Sequence, residues 1–304
     1  MSKPRRPKRK VSGIILLDKP LGYSSNQALQ VVRGLYQAEK AGHTGSLDPL
    51  ATGLLPLCFG QATKLCGYLL DSDKRYLATA QLGIKTATGD AEGAVIASAD
   101  AKLLGMDQVA AALPQFTGPI LQIPPMYSAL KQGGQRLYEL ARLGQEVERR
   151  PREVTIHAID LVDFVAGKMV LDVRCSKGTY IRTLIEDIAA ALGNYAHLTA
   201  LRRLEVTPFA SQRMLNLTQI EDASRQGLEA LDSLLLPAAA AFEHWPEVTV
   251  SDDRIHYLSR GQAIRVAGAP KEGVLAVKNA DGAVLCIAQI NDDGLVAPKR
   301  WLAD

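Results

Sequence analysis

One carboxylate stands alone in AGHTGSLDPLATGLLPLCFGQATK, residues 41–64. The whole chain is 22% charged, so a window of this length carries roughly five charges on composition alone. Between Ala41 and Thr63 the only Asp, Glu, Lys or Arg is Asp48, and His43 is the one other titratable group before Cys58. An acid so isolated has two readings. Asp-Pro readily starts a turn, which makes Asp48 a piece of hydrogen-bonded structure. Otherwise it is a group with chemistry to perform, as a nucleophile or a general base.

Patterns that would recruit other chemistry are missing. Gly53, Gly60 and Lys64 have the wrong spacing for a phosphate-binding loop, and no GxGxxG or GxSxG segment occurs. A pepsin-like pair of D[ST]G segments is also lacking, and a glycosidase pair of carboxylates cannot be read from spacing. The four cysteines, Cys58, Cys66, Cys175 and Cys286, show no CxxC pair and have no histidine cluster near them, which makes zinc and redox readings weak. What survives is a single acid able to work without metal or cofactor.

The surrounding elements must position that acid. Residues 11–17 read as a strand, and Ser24 or Ser25 caps a helix from about Asn26 to Ala38. Residues 75–84 alternate as a strand; TGDAEG (88–93) turns the chain into a second strand at 94–97. A helix is expected over 107–113 and a proline-rich loop over 118–125. In YSALKQGGQRLYELARLG the second half reads as a helix ended by Gly144. Residues 153–165 and 168–175 form a hairpin, KGTYIRTLIEDIAAAL turns into a helix, and LTALRRLEVTPF returns as a strand. A helical segment (218–241) follows, and beyond EHWPEVTVS the chain becomes β-rich, with NADG as a hairpin turn.

At 304 residues and 47% apolar composition the chain can bury a large core without staples. MSKPRRPKRK contributes six cations to a net charge of +3, so residues 11–304 sum to −3. Binding to nucleic acid must then rest on local patches. The segment is either an RNA-binding arm or a solubilising tail. VSGIILL lacks a following cleavage site, and no apolar run reaches membrane-spanning length. A reduced cytoplasm is the expected setting.

Five segments in order carry a resemblance: LDKPLGYSSNQAL (17–29), GHTGSLDPLATGLLPL (42–57), DKRYLA (73–78), PPMYSALKQGGQRLYELAR (124–142) and CSKGTYIRTL (175–184). Together the chain resembles the TruB family of bacterial tRNA pseudouridine synthases, over about residues 11–210 and more loosely to the C-terminus. The resemblance implies an isomerase acting on uridine-55 in the T loop of tRNA, with no cofactor and no metal. It implies that Asp48 is the essential acid and that Arg182 pairs with it. Tyr76 would stack on the target base, with its hydroxyl available for proton transfer. Tyr180 and Leu201 would line the substrate pocket, and His43 would occupy the space left by the flipped uridine. Flipping fits an enzyme that works on a glycosidic bond inside a stack. Residues 131–152 hold six Lys or Arg against three Glu, and correspond to an insertion that clamps the T-stem loop. The C-terminal segment resembles a PUA-type RNA-binding domain.

Each residue also has a plainer role open to it. Tyr76 packs well in a half-buried strand, and Arg182 could pair with Glu186 one helical turn on. His43, Tyr180 and Leu201 could be ordinary loop or core residues, and Lys64 either a solvated charge or a phosphate contact. Lys19 and Pro20 are expected to brace the site, and Asp90 to stabilise its turn. The expected architecture is α/β (α+β): a mixed, mostly antiparallel sheet with flanking helices, plus a small β-rich C-terminal domain. The expected divisions are a basic tail at 1–10, a catalytic domain at 11–245 with its insertion at about 120–152, and an RNA-binding domain at 246–304. A monomer without an obligatory protein partner, acting on tRNA in the cytoplasm, is expected. The rivals are a guide-dependent synthase, a non-catalytic RNA-folding protein, and a small-molecule lyase or hydrolase.

Overall fold

The computed structural model describes residues 8–101, 104–210 and 212–303. Most of the basic segment expected as a tail, residues 1–7, therefore lies outside the described residues. Arg9 does not: its guanidinium lies 2.5 Å from Asp232.

The strands, in chain order, begin with Gly13–Lys19 (β1), Ala41–His43 (β2), Ala51–Phe59 (β3) and Lys74–Leu82 (β4). Next come two small hairpins, Ile84–Thr86 (β5) with Val95–Ser98 (β6), and Lys131–Gln132 (β8) with Gln135–Arg136 (β9), separated by Gly118–Gln122 (β7). Arg152–Val165 (β10), Lys168–Cys175 (β11) and Ala196–Val206 (β12) complete the main sheet. Glu247–Thr249 (β13), Val274–Lys278 (β14), Val284–Ile290 (β15) and Val296–Trp301 (β16) form a second sheet.

The main sheet runs β1-β3-β12-β4-β11-β10-β7, with β2 added beside β3. Every pairing is antiparallel except β3 with β12, which is parallel over Ala51–Gly53 and Leu201–Arg203. The fold is thus the expected mixed, mostly antiparallel sheet with flanking helices. In β4 the buried positions are Lys74, Tyr76, Ala78, Ala80 and Leu82, the alternation of a strand with one face in the core. β3 is buried along nearly its whole length, as befits a strand covered on both faces.

Helices close the faces. Ser25–Tyr36 (α1) begins at a capping box in which Ser24 Oγ accepts from the Gln27 amide and Gln27 Oε1 accepts from the Ser24 amide. Its buried residues Ala28, Leu29, Val32 and Tyr36 pack on β1 and β3 with Ile220 and Leu231. After the short helices Cys66–Leu70 (α2), Met106–Ala112 (α3) and Leu137–Arg142 (α4), Ile181–Ala191 (α5) packs Leu184, Ile185 and Ile188 on β4 and β11. Ile220 and Leu231 come from Leu217–Gln226 (α6) and Leu228–Asp232 (α7). The second sheet packs on the first: Ala276, Ile287 and Leu302 share a cluster with Ile14, Leu16 and Leu54.

One expectation needs correction. Residues 118–125 are not all loop, because Gly118–Gln122 pairs with β10. Proline suppressed the strand reading, yet Pro119 sits on the outermost strand of the sheet, where a missing N–H costs no ladder bond. The C-terminal part also holds a helix, Asp252–Ser259 (α8), with Asp252 and Asp253 in its first turn where they favour the helix dipole. Among the described residues no helix is long and apolar enough to cross a membrane.

Candidate active site

Asp48 opens a turn closed by the Ala51 amide donating to its carbonyl at 3.0 Å. The turn reading of Asp-Pro is therefore correct for the backbone, and it leaves the side chain free. The loop is pinned from several directions. Ser25 Oγ, at the start of α1, accepts from the Leu47 amide at 2.7 Å. The Gly22 amide donates to Pro49 O at 2.9 Å, and Arg203 Nη2 donates to Gly45 O at 3.3 Å. A carboxylate held this way is fixed in position before any ligand arrives.

Arg182, near the start of α5, pairs with Asp48 rather than Glu186: Nη2 lies 3.0 Å from Asp48 Oδ2. The guanidinium is almost wholly buried and is fixed by donating to Thr88 O at 2.8 Å and Tyr127 O at 2.7 Å. Its Nη1 also lies 3.6 Å from Asp90 Oδ2. Asp90 keeps the turn role expected of it, since its Oδ1 accepts from Thr88 Oγ1 and the Glu92 amide. Its second oxygen faces the same arginine as Asp48, a link that sequence reasoning missed.

The electrostatic balance at Asp48 is upward. Burial pushes its carboxyl above the ordinary aspartate value, Arg182 pulls against that, Asp90 adds to it, and Lys19 opposes it. Some 47% of the side-chain surface remains open to water, which tempers each of these. Arg182 thus offsets the cost of burying the acid without overcoming it.

Two cavities meet at this ion pair. The first, of about 330 Å³, is lined by Asp48, Tyr76, Tyr180, Arg182, Leu201 and Arg203 among others. It collects five of the six residues singled out from sequence. Tyr76 comes from β4, and Leu201 is its close neighbour across the ladder, opposite both Ala51 and Ala78. Tyr180 caps α5, with its amide and carbonyl both bonded to the Gln122 side chain on β7. Burial raises the hydroxyls of Tyr76 and Tyr180 above the ordinary phenol value. The second cavity, of about 670 Å³, shares Asp48 and Arg182 and is lined by His43, Arg136, Tyr138 and Arg142. His43 lines this second cavity and Tyr76 the first. Burial and Arg203 lower the basicity of His43, and its buried Nδ1 has no hydrogen-bond partner among the described residues.

Three further cations were missed or undervalued. Arg203 is 1% exposed and donates to Leu54 O at 2.6 Å. Strand alternation could have found it, because Arg203 shares a face with Leu201. Lys74, on the same face as Tyr76, donates to Leu70 O at 2.7 Å. Lys19 is fully buried and braces the chain before α1 by donating to Pro20 O and Tyr23 O. Burial lowers it to about 8, against the opposing pull of Asp48.

Residues 33–181 match the TruB family pseudouridylate synthase N-terminal domain. Residues 182–243 match the tRNA pseudouridylate synthase B C-terminal domain, and residues 246–302 the C-terminal domain of pseudouridine synthase II TruB. A tRNA pseudouridine synthase B of Pseudomonas aeruginosa (strain UCBPP-PA14) is 51% identical over 303 residues, covering 99% of both chains. One from Nitrosococcus oceani is 50% identical, covering 99% of this chain and 98% of its own. Among solved structures, a Cbf5-Nop10-Gar1 complex aligns with a TM-score of 0.76 at 25% identity, covering 96% of this chain and 85% of that one. The chain belongs to the TruB family of tRNA pseudouridine synthases. It is accordingly an isomerase that turns uridine into pseudouridine.

Proposed function

We propose that the chain isomerises uridine-55 in the T loop of tRNA, with Asp48 as the essential acid. The observation that carries this reading is the Asp48–Arg182 pair at 3.0 Å, set at the junction of a cavity lined by Tyr76, Tyr180 and Leu201. The motif resemblance supports the position in tRNA, and the full-length likeness to tRNA pseudouridine synthase B supports the substrate class.

The reaction breaks the bond between uracil N1 and ribose C1′, turns the base, and joins C1′ to C5. The C5 proton leaves and N1 gains one, so no net proton is consumed. Asp48 Oδ2 lies 3.0 Å from Arg182 Nη2, which makes Oδ1 the oxygen turned to the substrate in this reading. That oxygen attacks C1′ or assists departure of the base through a glycal. In either case the reacting form is the carboxylate, which Arg182 favours. Tyr76 stacks on the extruded base, with Leu201 and Tyr180 closing the pocket, and its hydroxyl is available for proton transfer. His43, in the adjoining cavity, fills the gap the uridine leaves. The basic residues of 131–152 hold the stem by its phosphates, which makes affinity salt-dependent.

We read residues 11–245 as the catalytic domain, with residues 246–304 as the RNA-binding domain. The protein works as a cytoplasmic monomer without a guide RNA. The test is incubation of the purified protein with unmodified tRNA alone, mapping pseudouridine for wild type and Asp48→Asn. Conversion of a single T-loop uridine by wild type, lost in a variant that still binds tRNA, is the expected result. Wild type that binds tRNA and forms no pseudouridine would overturn the reading.

A further inference from the structure

Four free cysteines are present, and two of them are brought together. Cys58 lies on β3, fully buried, with its side chain in the cluster between the two sheets. Cys66 is the first residue of α2, partly exposed, and packs against that same cluster. The link between them is Gly42. In the β2–β3 register Gly42 stands directly opposite Cys58. A Cβ built on Gly42 would lie 3.1 Å from Cys66 Sγ. Side chains opposite each other in an antiparallel pair project from the same face. The Cys66 sulfur therefore occupies the side-chain space that Gly42 leaves empty, next to Cys58.

The pair is asymmetric. A hydrogen bond between the two thiols, together with burial, pushes the Cys58 thiol well up, and the same hydrogen bond draws the Cys66 thiol down against the effect of burial. The more acidic thiol is also the accessible one, the arrangement of an attacking thiol beside a resolving thiol. Cys175 and Cys286 are buried, and burial raises both thiols, to about 11 and about 12.

Both sulfurs touch segments that reach the site. α2 ends at Leu70, which lines the Asp48 cavity. Gly42 immediately precedes His43 in β2. A disulfide requires its two Cβ atoms about 3.8 Å apart with a sulfur–sulfur bond of about 2.05 Å. Closing it draws the start of α2 toward β3, across the strand that carries His43.

We propose that Cys58 and Cys66 form a reversible disulfide with a low-molecular-weight disulfide as oxidant, and that this cross-link slows pseudouridylation. The Cys66 thiolate attacks the oxidant, forming a mixed disulfide and releasing one thiolate. Cys58 then gives up its proton and attacks the Cys66 sulfur, forming the internal bond and expelling the second thiolate. Both released thiolates are protonated, so two protein thiols are oxidised as one small disulfide is reduced to two small thiols. The effect on rate rests on the reading that uridine reacts in the Asp48 cavity.

The test uses the full chain and oxidised glutathione. Peptide mapping should find a Cys58–Cys66 disulfide, with two of the four thiols lost. Pseudouridine formation should fall by at least about threefold and return with dithiothreitol. Cys66→Ser should keep the reduced wild-type rate and be insensitive to glutathione disulfide. A glutathione adduct that stops at Cys66, a bond to Cys175 or Cys286, or a Cys58–Cys66 bond with an unchanged rate would each overturn the inference. These readouts on wild type hold even where the serine variant folds poorly. Reduced wild type without activity points instead to failure of the functional reading, since disulfide mapping does not depend on turnover.

Discussion

Replacing Arg182 with lysine should move the acid limb of the pH–rate profile rather than lower the rate uniformly. In the structure one guanidinium serves Thr88 O, Tyr127 O, Asp48 and Asp90 at once. A lysine keeps the charge that buried Asp90 needs but has a shorter, single-point head. With an effective dielectric near 20, opposite charges attract by about 5.5 kcal/mol at 3 Å and about half that at 6 Å. Retreat of the charge by about 3 Å therefore costs the carboxylate about 2.8 kcal/mol, and about half of this survives screening at a half-exposed group. The remaining 1.4 kcal/mol or so is about one pKa unit. Arg182 lowers the pKa of an acid already raised by burial, so its loss raises it further. The expected result is a limb shifted up by about one unit, a deficit of about tenfold at its acid end, and recovery towards wild-type kcat/KM at higher pH. Tritium release from C5-labelled uridine in tRNA, followed from pH 5.5 to 9, measures it. An equal loss at every pH would refute the reasoning and make Arg182 a geometric support alone.

Two further outcomes follow from the frame around the site. Gly53 has φ +97°, and a Cβ there would lie 2.2 Å from Arg203 O. Gly53→Ala should therefore break the parallel pairing and cost about 3 kcal/mol or more in urea unfolding; a loss under about 1 kcal/mol would contradict the packing described. Lys19 titrates at about 8 in the folded chain against 10.5 otherwise, so the unfolded chain binds more protons between those values and stability rises with pH across them. Wild type should gain about 3 kcal/mol relative to Lys19→Met between pH 7.5 and 10.5, and a constant difference would disprove the shift.

The isolation of Asp48 was legible in the sequence, since no other Asp, Glu, Lys or Arg stands between Ala41 and Thr63, while the role proposed for it came from the family motifs around it. The alternation of β4 and the cap at Ser24 were legible for the same local reason, since each signal spans only a few residues. Gln122 shows what was not. It holds Tyr180 through two hydrogen bonds across 58 positions, and a lone glutamine beside prolines gives no hint of that. Asp90 was read correctly as a turn residue, and its second oxygen meets Arg182 only after α5 has packed. Arg203 lay between, recoverable from strand period once Leu201 had been assigned to the pocket, though its adjacency to Arg202 disguises it. Arg202 pairs with Asp18 at the surface while Arg203 turns inward.

The position of β12 also governs when the protein becomes competent. It is the last strand of the main sheet to be synthesised, yet it lies between β3 and β4, two of the earlier ones. Until it enters, β4 and the Ala51–Gly53 end of β3 present unpaired edges, and such edges invite association between chains. Leu201 and Arg203 arrive with it, so the cavity at Asp48 cannot be complete on a ribosome-bound chain before that stretch has emerged. Closure of a contact across some 150 residues is slow to nucleate, and a nascent chain therefore carries exposed sheet edges for most of its synthesis and gains its pocket near the end.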